Sequence, residues 1–281
     1  MAENSQKLIL FDGNALLHRA YHAFPQTLRT SSGELTNATY GFTSTLLSVI
    51  AKQKPTHVIV AFDEKAPTFR HKQFAGYKAS RPTMDEELVG QIDRTREIVK
   101  TMNIPLFAVE GFEADDVLGT LAKQAEDANM AEIMIVTGDH DALQLITPKT
   151  CVLFPAKGKH PEQISNEATF VEQYGFKPKQ LIDYKALVGD SSDEIPGVKG
   201  IGPRAATDLI KQFGTIETMY ANLDKVNQAL KTKLETGRDM AMLSKTLATI
   251  ITSVPITFNQ ENSLLSEYNK EKVVDLFLRL E

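Results

Sequence analysis

The chain has one cysteine, Cys151, in 281 residues, which excludes a disulfide scaffold and fits a reducing compartment. It has no surplus of positive charge, with 31 Lys and Arg against 36 Asp and Glu, so a generic nucleic-acid coat is excluded as well. No apolar run is long enough to span a bilayer, and the run behind residues 1–7 is too short for a signal peptide. A cytoplasmic protein without membrane contacts is therefore expected. Internal repeats and low-complexity tracts are missing, and the sequon Asn37-Ala38-Thr39 carries no weight without secretion. Cys151 itself lies in an apolar, strand-like stretch and is read as a core residue. With 42% hydrophobic residues, the length suffices for one large domain or two modest ones.

What the chain does have is aspartate at the ends of apolar strands. The runs at 7–11, 58–62 and 133–137 lead into Asp12, Asp63 and Gly138-Asp139. Such runs, without polar alternation, predict strands buried on both faces of a parallel sheet. Ligands of such a sheet sit beyond the carboxyl ends of its strands, so the three acids should converge on one crevice. Glu113-Ala114-Asp115-Asp116 opens a helix whose apolar face is Val117, Leu118, Leu121, Ala122 and Ala125. The positive end of the helix dipole favours acids there. Asp141 follows Asp139 by two, so an extended segment would point both the same way and His140 the other way, as a non-ligand. Asp190 and Asp193 add two more in a polar, turn-rich stretch. One such cluster has a plain explanation in solvent exposure or the dipole; five together do not.

Crowded carboxylates need a cation between them. With no cysteine nearby and histidine set aside, an all-oxygen site selects magnesium or manganese over zinc. The acids outnumber what one octahedral ion uses, which predicts two ions about 4 Å apart, the arrangement that serves in-line phosphoryl displacement.

The bases have their own geography. Lys65, Arg70, Lys72, Lys78 and Arg81 follow Asp63 without an intervening acid beyond Glu64, interleaved with Phe69, Phe74 and Tyr77. Cations mixed with aromatics suit single-stranded nucleic acid; a solvated loop with its aromatics packed beneath is the plain alternative. The amphipathic helix carrying Leu88, Ile92, Thr95 and Val99 belongs to the core. Beyond Asp193, Gly197, Gly200 and Gly202 form a tight hairpin ahead of Pro203, which suits a helix start. With Lys199 and Arg204 at hand, backbone amides and a helix N-terminus would meet phosphate there. No strand precedes these glycines, so a dinucleotide-binding loop lacks its context. A helix–hairpin–helix at 195–214 that grips duplex backbone is favoured over a simple helix–helix turn.

The acid segments, Gly76-Tyr77-Lys78-Ala79-Ser80-Arg81-Pro82, Gly189-Asp190-Ser191-Ser192-Asp193-Glu194-Ile195-Pro196-Gly197 and the glycine hairpin together resemble the flap endonuclease, or 5′-nuclease, family. The branch it is most similar to is that of the N-terminal 5′→3′ exonuclease domains of bacterial DNA polymerase I. The resemblance covers nearly the whole chain in order. It implies an α/β fold with a PIN-like, mostly parallel sheet flanked by helices at 1–172, with a helical arch at about 64–85. A helical DNA-binding domain follows at 173–281, with a helix–three-turn–helix that holds a potassium ion.

By the same resemblance Asp12, Asp63, Glu113 and Asp115 would hold the first metal. Asp115, Asp116, Asp139, Asp141, Asp190 and Asp193 would hold the second, some of them through water. Arg19, Tyr77, Lys78 and Arg81 would draw in the scissile phosphate, with Arg70, Lys72, Gly197, Lys199, Gly200, Gly202 and Arg204 on the DNA. The implied activity is structure-specific cleavage of branched or nicked double-stranded DNA with a 5′ flap or end, in replication and repair at the bacterial nucleoid. Two departures stand out: Glu194 replaces the usual asparagine, and His140 a frequent lysine. The amphipathic run at 273–281 stops without a capping residue, which suggests an excised domain otherwise joined to a polymerase domain. A non-catalytic junction binder would not need the full acid set, a PIN-type ribonuclease would not need the hairpin, and a phosphotransferase would need a phosphate loop after a strand.

Overall fold

The computed structural model describes residues 6–156 and 158–280. Residues 1–5 of the N-terminal stretch and Glu281 at the end of the final run lie outside the described residues. The elements follow in the order β1 (Lys7–Asp12), α1 (Gly13–Ala23), α2 (Asn37–Gln53), β2 (His57–Ala61), α3 (Phe69–Gln73), α4 (Glu86–Thr101), β3 (Leu106–Phe107), α5 (Ala114–Asp127), β4 (Glu132–Val136), β5 (Thr150–Phe154), β6 (Gln163–Ser165), α6 (Glu167–Tyr174), α7 (Leu181–Val188), α8 (Pro203–Phe213), α9 (Ile216–Ala221), α10 (Gln228–Thr236), α11 (Arg238–Ala248) and α12 (Lys270–Arg279).

The strands form one sheet in the order β3-β2-β1-β4-β5-β6, parallel except for β6, which runs antiparallel to β5. Side chains alternate between its two faces. Leu8, Leu10, Ile59, Ala61, Ile133 and Ile135 pack under α5 and the C-terminal helices, while Ile9, Phe11, Val58, Val60, Met134 and Val136 pack under α1, α2, α4 and α12. Burial on both faces explains the unalternated apolar runs. The first of these cores continues through Phe170, Leu187, Ile210, Met219 and Ala241, so the helical C-terminal half shares it. Residue 172, the proposed boundary, lies inside α6.

Strand order reverses between β1 and β4, and the acid-bearing ends gather at that point. The arch departs from the helical form expected. Between 64 and 85 the only helix is α3, five residues long; turns occupy 75–80 and no regular structure follows until α4. Lys78, at φ 52°, sits in the left-handed region, which costs an L-residue about 1–2 kcal/mol and interrupts any helix there.

Candidate active site

Each acid is placed by the element it ends or begins. Asp12 ends β1 and caps α1: its Oδ1 accepts from the Ala15 amide at 3.0 Å, and its Oδ2 from the Thr137 hydroxyl at 2.6 Å. Asp63 follows β2, where its Oδ1 accepts from the Ala114 amide at 2.7 Å and its own amide donates to Asn14 Oδ1 at 3.0 Å. Glu113 precedes α5 and Asp115 lies in its first turn. Asp139 caps a short 3-10 helix, His140–Leu145, and accepts from the Asp141 amide at 2.9 Å. That turn, rather than an extended segment, is what carries Asp141. His140 stacks on Phe154 at 4.7 Å between ring centroids.

Burial and mutual repulsion act on Asp12, Asp63, Asp115 and Asp141. Burial lifts Asp12 to about 7, opposed by its bonds from Thr137 and Ala15 and aided by the charges of Asp63 and Asp139. Burial likewise raises Asp63, and it holds Asp115 well above the usual carboxylate range, with Asp12, Asp139, Asp141 and Glu113 adding to it. Asp141 is lifted by burial to about 6 against the pull of Lys185. Asp115 stands at the middle of this field, and its Oδ1 is enclosed without a hydrogen-bond partner. An enclosed, unpartnered carboxylate oxygen among other carboxylates, with no sulfur and no imidazole in the set, fits a hard divalent cation.

Among the described residues no three acid, histidine or cysteine side chains are already closed into a metal-binding cluster. The outer acids are drawn instead to cations of the chain. Lys78 Nζ lies 2.9 Å from Glu113 Oε1 and 3.6 Å from Asp193 Oδ2, and Arg81 Nη2 lies 2.6 Å from Asp193 Oδ1. Lys185, on α7, bridges Asp141 and, at 2.6 Å, Asp190. With Ser192 it holds Asp190 below the usual carboxylate range in spite of burial. Lys185 escaped the sequence reading; its only signal was a lone cation in an apolar helix five residues before Asp190.

Several expected roles are corrected. Asp116 is fully buried and saturated: Arg70 grips it with two bonds of 2.8 Å, and the amides of Glu113 and Ile251 donate to it at 3.1 and 2.8 Å. No lone pair remains that faces the other acids, so it is not placed as a metal ligand. Arg70 is likewise 2% exposed and also donates to the Leu247 and Thr249 carbonyls, so it does not face DNA. Tyr77 is 2% exposed and its hydroxyl lies 3.1 Å from both Glu113 and Asp193; it bridges acids and has no free ring face for a base. Gly197 is buried, its amide donates to Ser244 Oγ at 2.9 Å, and a Cβ there would stand 2.4 Å from Gly189 N. Its role is backbone packing.

Other placements agree with the surface expected of them. Lys72, Lys199, Gly200, Gly202 and Arg204 are exposed. Arg19 lies beside Gly138 but spends its guanidinium on the Pro155 and Ala156 carbonyls. The hairpin sits between α7 and α8, and Gly202 caps α8 with Pro203 as its first residue.

Residues 7–175 match the model of the 5′-3′ exonuclease N-terminal resolvase-like domain, and residues 176–271 that of the 5′-3′ exonuclease C-terminal SAM fold. The chain belongs to the 5′-3′ exonuclease family. Within that family it is 42% identical to DNA polymerase I of Caldicellulosiruptor bescii over 277 residues, 98% of this chain and 32% of that one. It is 42% identical to DNA polymerase I of Bacillus subtilis over 273 residues, 97% of this chain and 31% of that one. The chain thus spans about a third of the curated relatives it matches. In fold it resembles T5 5′-exonuclease solved with zinc ions bound, at a TM-score of 0.72, 22% identity, and coverage of 98% of this chain and 100% of that one. It also resembles the catalytic core of Rad2 solved in complex with DNA substrate, at a TM-score of 0.58, 14% identity, and coverage of 99% and 93%.

Proposed function

We propose that this exonuclease-family chain is a structure-specific 5′ nuclease, acting both as a 5′→3′ exonuclease and as a flap endonuclease on branched or nicked double-stranded DNA. The observation that carries this is the unpartnered Asp115 Oδ1 at the centre of converging acids, faced by Lys78 and Arg81. Asp12, Asp63, Glu113 and Asp115 would hold one divalent cation, magnesium or manganese. Asp115, Asp139, Asp141 and Asp190 would hold a second, with Asp193 between the acids and the arch. When bound, such ions supply a deprotonated water at neutral pH and charge stabilisation for the leaving oxygen.

The chain's own residues do the rest. Lys78 and Arg81 are pre-aimed at carboxylates and would pass to the scissile phosphate as it enters, stabilising charge that develops there. Thr137 and the Ala15 amide fix Asp12, and the Ala114 amide fixes Asp63, so neither carboxylate swings away. Opening the terminal base pair to reach the acids costs a few kcal/mol. Removal of primers or flaps beside a polymerase domain is the role supported by the two relatives named DNA polymerase I. A potassium ion at the hairpin belongs to the same reading; the Gly200 carbonyl already accepts from a cation, the Lys233 ammonium, at 3.0 Å. Among the described residues no helix is long and apolar enough to cross a membrane.

The test is cleavage of 5′-flap DNA, plain duplex and single-stranded RNA, with magnesium or with chelator. Flap DNA should be cut fastest, chelator should stop the reaction, and RNA should survive; preferred cleavage of RNA would overturn the reading. In the same assay Lys78→Ala should slow single-turnover cleavage by about 100-fold, the scale of losing one oxyanion donor. Binding measured in calcium should change by less than about threefold, since a lone phosphate contact contributes little to affinity. An unchanged rate would leave Lys78 without a part in the chemistry.

The hairpin has its own test. A Cβ added at Gly202 meets nothing within 4 Å, so Gly202→Val should fold normally. It should raise the DNA dissociation constant by about fivefold on every sequence, because it blocks backbone approach to phosphate without touching bases. Unaltered binding of flap and duplex DNA would make the hairpin a structural turn only.

A further inference from the structure

The turn that carries Lys78 and Arg81 rests on the loop after α7 through two contacts made by its own backbone. Lys78 N–H donates to the Asp193 carbonyl at 3.1 Å, and Ser80 N–H donates to Glu194 Oε2 at 2.7 Å. The φ of Glu194 is 57°. Asparagine tolerates that left-handed backbone better than glutamate does. The geometry is held from both sides, since Asp190 and Ile195 exchange backbone hydrogen bonds of 2.9 and 2.8 Å around it. Lys78, across the contact, is left-handed as well. Two non-glycine residues in unfavourable backbone thus meet at one junction, a pattern that marks a functional contact. A glutamate there reaches one carbon further than asparagine, and that reach ends on the amide next to Arg81.

We propose that Glu194 is a positioning residue of the nuclease: its carboxylate grips the Ser80 amide and holds the 76–81 turn with Lys78 and Arg81 over Glu113 and Asp193. Its carboxylate accepts from Ser80 and from no group of the acid centre, so it acts through the turn. The proposal rests on the nuclease reading above. Glu194→Gln keeps an acceptor oxygen without the charge. Glu194→Gly keeps the left-handed backbone free of strain but removes the grip, and Glu194→Asn serves as a second backbone-tolerant variant with a shorter reach.

Amide hydrogen exchange at Ser80 in the metal-free protein reads the grip directly, whether or not the protein cleaves DNA. It should accelerate about tenfold or more in Glu194→Gly and Glu194→Asn and stay near the parent in Glu194→Gln, as expected for release of one hydrogen bond. Single-turnover cleavage of flap DNA in magnesium should fall about tenfold in the first two variants, as for a catalytic group freed from its bound geometry. It should stay within twofold of the parent in Glu194→Gln, and binding in calcium should move less than about threefold in all three. A parent that does not cleave would sink the nuclease reading while the exchange data still judge the grip. Unchanged Ser80 exchange in Glu194→Gly, or Glu194→Gln as slow as Glu194→Gly, would overturn the proposal.

Discussion

Asp115→Asn is expected to stop hydrolysis and at the same time stabilise the metal-free protein. The wild-type carboxylate is enclosed, has an oxygen without a partner, and is surrounded by Asp12, Asp139, Asp141 and Glu113. Leaving such a group unsatisfied costs about 1–3 kcal/mol, and the neutral amide removes most of that by ending the repulsion. The sign follows from linkage. Asp115 and Asp12, the latter lifted to about 7, keep protons in the folded state at pH values where the unfolded chain has lost them. The penalty is therefore small near pH 4, where much of the unfolded carboxyl is still protonated, and grows as pH rises toward 7. Melting curves of parent and variant without metal should lie close together near pH 4 and separate toward pH 7.5. Magnesium should raise the melting temperature of the parent far more than that of the variant. Cleavage should fall by about 1000-fold or more, on the scale of losing a catalytic group that acts as part of a unit. A variant that is less stable than the parent at pH 7.5 without metal, or that cleaves normally, would defeat this account of the acid centre.

Arg70→Met is expected to be the most destabilising single change in the arch. It strands the Asp116 carboxylate, fully buried, without its two 2.8 Å bonds. Breaking one side of a buried pair costs about 3–5 kcal/mol, a large part of the roughly 5–15 kcal/mol that holds a domain together. In a chain of this size a loss of that order lowers the melting temperature by about 10 °C. The double change Arg70→Met with Asp116→Asn should recover about half of the loss, because the amide oxygen still accepts from Ile251 or Glu113 and no bare charge is left. Nuclease activity should drop along with stability, since Glu113 and Asp115 flank Asp116 on the same turn. A single variant that melts within 2 °C of the parent would show that the pair carries little weight.

The sheet and the position of the acids were legible because both depend on short-range patterns. Unalternated apolar runs mark strands covered on two faces, and a parallel sheet sends their following residues to one edge. What was not legible depends on partners far away in the chain. Asp116 follows Asp115 by one residue, so a helix turns it about 100° away, and whether that direction holds a metal or an arginine is decided by Arg70, 46 residues earlier. The aromatics of the arch looked suited to stacking on bases, yet Tyr77 faces inward because its hydroxyl finds Glu113 and Asp193. Lys185 was missed because nothing within its own helix announces that Asp141 and Asp190 will close around it. The departure at Glu194 was visible but its partner, the Ser80 amide, was not.

The strap that follows α11 has a consequence for the order of events during synthesis. Ile251 donates to Asp116 across 135 residues, Thr120 and Gln124 on α5 bond Val254, Ile256 and Phe258, and Arg70 reaches Leu247 across 177 residues. A ribosome adding about 5–20 residues per second needs on the order of 5–20 s to go from Ser165, the end of β6, to residue 258. Through that interval the sheet can form, and Arg70 is already at hand for Asp116, while the first turn of α5, which bears the acids, still lacks its strap. The nascent chain thus acquires its scaffold before its acid centre is braced.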